Sequence, residues 1–335
     1  MRTIAFFNNK GGVGKTSLVY HLAWMYRRLG VSVLALDLDP QSNLTSAFLP
    51  ESRLSEIWED EHSATVLGCI RPLLDRLGDM APPHVEVVAR ELFGPELGLV
   101  PGDLGLSLFE DRLAETWPRC LSENRADAED GFRVTTAFHR MAASAAERLG
   151  APLVLIDVGP SLGAINRAAL VAADHVVIPL AADLFSLQGL RNLGPTLGRW
   201  RMGWDTRKRV DAAQGFALPG GAMEPLGYVV VQHAARRDRP VYAYERWMRR
   251  VPQEYRTSVL GLPGDDVAPE NDPRRIGAIR HYRSLAPMAQ EARKPMFELT
   301  PADGAFGGHA AAVQDCREDF ENLAKRIASS VGIAL

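Results

Sequence analysis

Apolar residues in this chain follow two alternating rhythms from the N-terminus onward. Thr3–Phe7 (TIAFF) is a short continuous run rich in β-branched and aromatic side chains, and it stops at a glycine-rich turn. From Thr16 to Leu29 the spacing becomes helical, with Leu18, Leu22, Met25 and Leu29 on one face and Gly30 as the stop. Val31–Asp39 (VSVLALDLD) is continuous again and ends in acidic residues. Strand, glycine-rich loop, helix and strand make a βαβ unit, and runs this unbroken predict a parallel sheet covered on both faces. Similar runs at Leu97–Val100, Leu153–Ile156, His175–Leu180 and Leu226–Val231 predict further strands, with helices over Thr135–Leu149 and Asn166–Ala173. The expected class is α/β, a mostly parallel twisted sheet with helices on both faces.

No internal repeat or low-complexity tail interrupts this pattern. Pro/Gly-rich stretches at Met80–Pro83, Phe216–Gly221 and Leu262–Pro273 read as surface loops or insertions, so residues 1–335 are expected to form one domain. A hydrophobic fraction of 46% and a charged fraction of 24% are ordinary for a soluble globular protein. The net charge of −3 means that any nucleic-acid partner would need a local basic patch. Cys69, Cys120 and Cys316 lie far apart with no C-x-x-C pair, which argues against a disulfide framework or zinc site and suits a reducing cytosol. The histidines lack metal-ligand spacing, and no apolar run approaches the roughly 18 residues of a membrane span. A cytoplasmic location is expected, with association to the nucleoid if DNA is bound.

The candidate chemistry is concentrated in Phe6–Ser17, FFNNKGGVGKTS. Gly14, Lys15 and Thr16 complete the phosphate-loop pattern G-x-x-x-x-G-K-[ST], although Asn9 stands where its first glycine belongs. Gly11, Gly12 and Gly14, with Val13 between them, let the backbone turn tightly and aim its N–H groups at a polyphosphate. Lys15 would neutralise the β- and γ-phosphates, the Thr16 hydroxyl would ligate Mg²⁺, and Ser17 closes the set of residues expected to bind the nucleotide. The loop follows a predicted strand and opens a predicted helix, which is the context a P-loop NTPase requires. Lys10 is a second lysine that this pattern does not call for.

KGGVGKT resembles the deviant Walker A motif of the ParA/MinD family of ATPases, and most closely the ParA/Soj-type partition ATPases. The resemblance implies an ATP-dependent sandwich dimer in which Lys10 reaches the partner's phosphates, a cation supplied only after assembly. LDLDPQSNLTSAF (Leu36–Phe48) resembles the family's switch I, which implies that Asp39 orients or polarises the attacking water and Asp37 supports the Mg²⁺ water shell. Ser42 replaces the glycine usual there. LVLIDVGPSLG (Leu153–Gly163) resembles Walker B and switch II, which implies an Asp157 behind the metal, with Gly159 where a proline is usual. The segments Leu97–Leu113 and His175–Leu193 resemble the family's middle portion. The match covers Met1–Leu193 and extends to Gly227–His233. ATP and Mg²⁺ as cofactors follow from the resemblance, and no N-K-x-D guanine motif opposes it. The chain's extra length falls in expected loop insertions at about 60–96, 115–131, 205–225 and 261–273.

The ParA branch binds DNA without sequence preference and is released by a partner that stimulates hydrolysis, whereas the MinD branch ends in a membrane-binding amphipathic helix. Phe320, Leu323 and Ile327 sit at helical spacing near the C-terminus, but the polar face is not rich in basic residues, so this helix is expected on the domain's own core. For DNA, Arg236–Arg256 holds seven arginines against three acids, with Arg236, Arg237, Arg249 and Arg250 as candidate contacts. A second cluster, Arg199–Arg209, has five cations and one acid. The leading expectation is thus a DNA-positioning ATPase. A nucleotide-gated protein-interaction switch without DNA binding is the alternative from another class. An iron–sulfur relative would need clustered cysteines that this chain lacks.

Overall fold

The computed structural model describes residues 1–59, 62–90, 94–210, 212, 217–233, 241–282 and 284–335. Among them, eight strands join in one sheet: β1 (Arg2–Phe6), β2 (Val33–Leu38), β3 (Glu86–Ala89), β4 (Leu97–Val100), β5 (Leu153–Val158), β6 (His175–Leu180), β7 (Glu224–His233) and β8 (Arg275–Arg280). Their order is β3-β4-β2-β5-β1-β6-β7-β8, and every pairing is parallel except β3 with β4. All six residues of β2 and of β5 are buried, as central parallel strands with helices on both faces demand.

Alternate residues of each strand feed two cores. Ala5, Leu34, Leu36, Val154 and Ile156 face the helices Val66–Leu74, Phe109–Arg119, Arg125–Thr135, Ala137–Leu149, Ala164–Ala172 and Leu184–Arg207. Ile4, Phe6, Val33, Ala35 and Leu155 face Lys15–Arg28, Asn43–Phe48, Leu285–Ala292 and the C-terminal helix Gly308–Val331. In that last helix Phe320, Leu323 and Ile327 are buried, and the Tyr26 hydroxyl donates to the Ala324 carbonyl at 3.0 Å. Its apolar stripe therefore serves the domain's own core, and no described helix is long and apolar enough to cross a membrane.

His21 joins the same core. Its Nε2 accepts the Met296 N–H at 3.2 Å, so the proton of the neutral ring sits on Nδ1 and is donated to the Ser17 carbonyl at 2.7 Å. Burial pushes its pKa down to about 4, so at neutral pH the ring remains uncharged.

Two strands escaped the periodicity argument, and both lie at sheet edges. β3 leaves its side chains partly exposed, and β8 (RIGAIR) begins and ends in arginine. An edge strand needs no continuous apolar run, and charge there discourages further pairing. The stretches expected as loop insertions also need correction. Residues 60–96 carry the Val66–Leu74 helix and β3, and 205–225 starts inside the helix that ends at Arg207. Residues 115–131 are mainly helical, spanning the end of Phe109–Arg119 and much of Arg125–Thr135. Gly131 lies inside a helix, where an added Cβ would meet the Cys120 backbone nitrogen at 2.6 Å. It permits close helix packing. Only 261–273 is free of helix and strand.

Candidate nucleotide site

The C-terminal ends of β1, β2 and β5 converge where an open parallel sheet binds ligands. After β1 the Phe7 N–H still bonds to the Val177 carbonyl at 3.0 Å. Asn8 then anchors the loop: its Nδ2 donates to the Pro179 carbonyl at 2.7 Å and its Oδ1 accepts the Lys10 N–H at 2.9 Å. Gly12 and Gly14 take left-handed φ values of 71° and 81°, and a Cβ on Gly14 would lie 2.9 Å from the Val231 side chain. Gly14 leads straight into the Lys15–Arg28 helix, whose first turn has neither a side-chain cap nor an acidic residue. Its amides and dipole are left for an anion. Val13 is buried beneath the loop, whereas Gly11 and Ser17 are exposed.

Lys15 is buried, and its Nζ donates to the carbonyls of Asn8 at 3.2 Å and Lys10 at 3.4 Å. Burial lowers its pKa, and the charges of Asp157 and Asp39 work against that shift. These aspartates come from neighbouring strands. Asp37 of β2 stands opposite Asp157 of β5, and Asp157 is in turn opposite Phe6 of β1. Asp37 accepts the Thr45 N–H at 2.8 Å and the Thr45 hydroxyl at 2.7 Å, and the Asp39 N–H at 3.3 Å. Burial still raises its pKa to about 6. Asp157 has both carboxylate oxygens buried without a hydrogen-bond donor. Burial, then repulsion from Asp37, hold its pKa well above the ordinary range, and the nearby Thr16 side chain and Lys15 charge oppose this only in part.

A buried carboxylate with no donor is a site that wants a cation. The hard oxygen donors of Thr16, Asp37 and Asp157 fit Mg²⁺. Among the described residues no group of three His, Cys, Asp or Glu could hold a metal alone, so the ion would also depend on phosphate and water oxygens, as Mg²⁺ commonly does.

Asp39 accepts the Gln41 N–H at 3.0 Å, and the backbone of Gly159 presses against it: a Cβ at 159 would lie 3.1 Å from Asp39 Oδ1. The glycine where the related motif has proline thus gives the 159–163 loop a close approach to Asp39. Ser42 is buried at φ 50°, a left-handed backbone that glycine would occupy without strain, and its hydroxyl has no hydrogen-bond partner.

Lys10 is ion-paired through Nζ to Asp183 and lies 5.8 Å from the centroid of the Phe185 ring. Asp183 caps the Leu184–Arg207 helix by accepting the Ser186 N–H at 2.8 Å. Phe185 is 71% exposed, and Leu184 and Leu162 are also exposed. A cavity of about 490 Å³ opens between Thr16, Ser17, Tyr20, Asn43 and the segment bearing Arg293 and Lys294.

The structure therefore gathers Lys15, Thr16, Asp37, Asp39 and Asp157, and puts Lys10 in the same loop. Sequence reasoning missed Thr45, which holds Asp37, Asn166, which donates to carbonyls of the loop after Asp157, and Glu110, which accepts amides at the start of the next helix. A hydroxyl eight residues after an aspartate carries no pattern of its own. Of the candidate DNA contacts, Arg249 and Arg250 are exposed, and the guanidiniums of Arg246 and Arg250 lie 5.1 and 5.5 Å from the Trp247 ring. Arg236 and Arg237 lie outside the described residues. The second basic cluster is largely engaged in the fold: Arg201, Arg207 and Lys208 donate to backbone carbonyls.

A family model described as an AAA domain matches residues 1–207. The chain is 32% identical over 201 residues to the chromosome partitioning protein ParA of Caulobacter vibrioides, an alignment covering 60% of this chain and 64% of that protein. It is 30% identical over 210 residues to the chromosome-partitioning ATPase Soj of Thermus thermophilus, covering 63% and 67%. The first of these matches thus spans just under two thirds of its relative's length. Among solved structures, a protein from Corynebacterium diphtheriae aligns over 98% of both chains with a TM-score of 0.69 and 25% identity. A variant of Cyanothece McdA in complex with ATP aligns over 100% of this chain and 98% of that one, with a TM-score of 0.60 and 17% identity. The pNOB8 ParA bound to nonspecific DNA aligns over 99% and 98%, with a TM-score of 0.57 and 17% identity.

Proposed function

This chain belongs to the ParA/MinD family of P-loop ATPases, and on that premise we propose that it is a Mg²⁺-dependent ATPase whose ATP-bound form closes as a sandwich dimer on DNA. The polyphosphate rests on the uncapped helix start, with Lys15 against it and the 490 Å³ cavity beside Thr16 as room for the nucleoside. Thr16, with Asp37 and Asp157 behind it, would hold Mg²⁺, which would supply charge neutralisation on the phosphates. Asp39, kept in place by Gly159 and the Gln41 amide, orients the attacking water.

One observation carries the dimer. In that loop Lys15 already donates inward, and Lys10 stands beside the exposed ring of Phe185. A cation on an apolar rim is suited to a second protomer's phosphates, once it leaves Asp183. DNA binding is supported by the exposed Arg249 and Arg250 and by the pNOB8 ParA that carries nonspecific DNA. Arg236 and Arg237 extend the same proposal. A dedicated protein partner would stimulate hydrolysis and release. The alternative, a protein-interaction switch without DNA, draws on a different observation: Glu245, Asp266 and Glu270 share a groove with Arg249. Those carboxylates would repel phosphate.

Light scattering after size exclusion tests the dimer. Wild type should double its mass with ATP and Mg²⁺ and remain monomeric with ADP. Lys10→Ala should bind ATP within about threefold of wild type yet stay monomeric. An ATP-dependent dimer unchanged by Lys10→Ala removes the trans role.

A further inference from the structure

Glu110 opens the Phe109–Arg119 helix, which Phe109 and Leu113 anchor in the core. Its carboxylate caps a different helix. Oε1 accepts the Ala164 N–H, and Oε2 accepts the Ile165 N–H at 2.9 Å. These amides start the Ala164–Ala172 helix, which follows the loop after Asp157, and the N-cap residue Gly163 offers no side chain of its own. A Cβ at Gly163 would lie 2.5 Å from Glu110 Oε1, so glycine there makes room for the incoming carboxylate. A negative charge on a helix start is doubly favourable, satisfying free amides and the dipole together.

From the same helical turn Asn166 reaches back into the loop. Its Nδ2 donates to the carbonyls of Gly159 at 2.8 Å and Ser161 at 2.6 Å. Gly159 in turn abuts Asp39. The next residue, Arg167, donates to the Leu113 carbonyl at 3.1 Å and lies 4.5 Å from the Trp117 ring, so the two helices are tied again further along. A continuous set of contacts therefore runs from Glu110 through the helix start and Asn166 to Gly159 and Asp39.

We propose that Glu110 is a positioning residue for hydrolysis, fixing the 159–163 loop against Asp39 by capping the helix that follows it. The proposal rests on the ATPase reading above. Glu110 acts through the helix start and Asn166; its removal releases the loop, and a misplacement of about 1 Å at a reacting group costs on the order of 100-fold in rate.

The test uses the full chain with Glu110→Ala and Glu110→Gln, measuring kcat and KM for ATP, and hydrogen exchange across 159–165 with and without ATP. Glu110→Ala should lower kcat about 10- to 100-fold while KM moves less than about twofold. Glu110→Gln keeps a carbonyl oxygen for one amide and should recover most of that loss. ATP should slow exchange across 159–165 in wild type but not in Glu110→Ala. A wild-type kcat in folded Glu110→Ala, or the same ATP-dependent slowing, overturns the proposal. A wild type that never hydrolyses ATP counts against the ATPase reading instead, and the exchange comparison then decides on Glu110.

Discussion

Asp157→Asn should raise the melting temperature of the nucleotide-free protein by about 3 °C and cut ATP hydrolysis about 10- to 100-fold. The two effects have one cause. Asp157 is wholly buried, neither oxygen has a donor, and Asp37 and Asp39 add repulsion. Asparagine keeps the shape and removes the charge, relieving a cost of the order of 2 kcal/mol or more. The pH dependence follows from the sign of the shift. A carboxyl whose folded pKa is raised gives stability that is present below its unfolded value and is lost as pH climbs through the folded value. The advantage of Asp157→Asn should therefore be small near pH 4 and grow through pH 6, where Asp37, raised to about 6, is also losing its proton. Thermal melts at pH 4.5 and 7.5 without Mg²⁺ or nucleotide measure it. A variant less stable than wild type at pH 7.5 would mean that Asp157 is satisfied by something other than an incoming cation.

Lys15→Ala should behave oppositely in stability and similarly in function. Lys15 is the buried cation whose charge acts on Asp157, while Lys10 is occupied by Asp183. Removing it leaves Asp157 and Asp39 without that compensation, so the nucleotide-free protein should melt about 1–3 °C lower, on the order of 1–2 kcal/mol. ATP affinity should fall about 100-fold or more, because a buried charge partner of the phosphates is gone. Equilibrium binding of a fluorescent ATP analogue reads the second effect. Affinity within threefold of wild type would move the phosphates away from this loop. Together the two variants describe a site with too little positive charge of its own, which Mg²⁺ would balance.

The sequence made the central architecture readable because buried parallel strands must be apolar on both faces. That requirement wrote β1, β2, β4, β5 and β6 into continuous runs, and the loop at Gly11–Gly14 interrupted the first run where a phosphate would bind. Edge strands lack that requirement, so β3 and β8 left little trace. Single-residue departures from the resemblance were visible but uninterpretable until the backbone was seen. Ser42 stands at a left-handed φ, and Gly159 stands against Asp39; neither fact is a matter of composition. The supports of the site were invisible for another reason. Thr45 bonds to Gly102 and Glu110 to Ile165 across 57 and 55 residues, and Asn166 reaches back to Gly159 in a loop that carries no pattern of its own. Basic clusters misled in the opposite direction. Arg207 looks like a surface cation in sequence but is buried with its guanidinium 3.9 Å from Trp117.

The most direct measurement is retention of the purified protein on random-sequence duplex DNA with no nucleotide, with ADP and with ATP–Mg²⁺, each at two salt concentrations. Retention is expected with ATP–Mg²⁺ and in no other state, weakening steeply as salt rises because released counterions drive it. An ATP-dependent dimer that ignores DNA at both salt concentrations would contradict it, and would move the function to a protein partner.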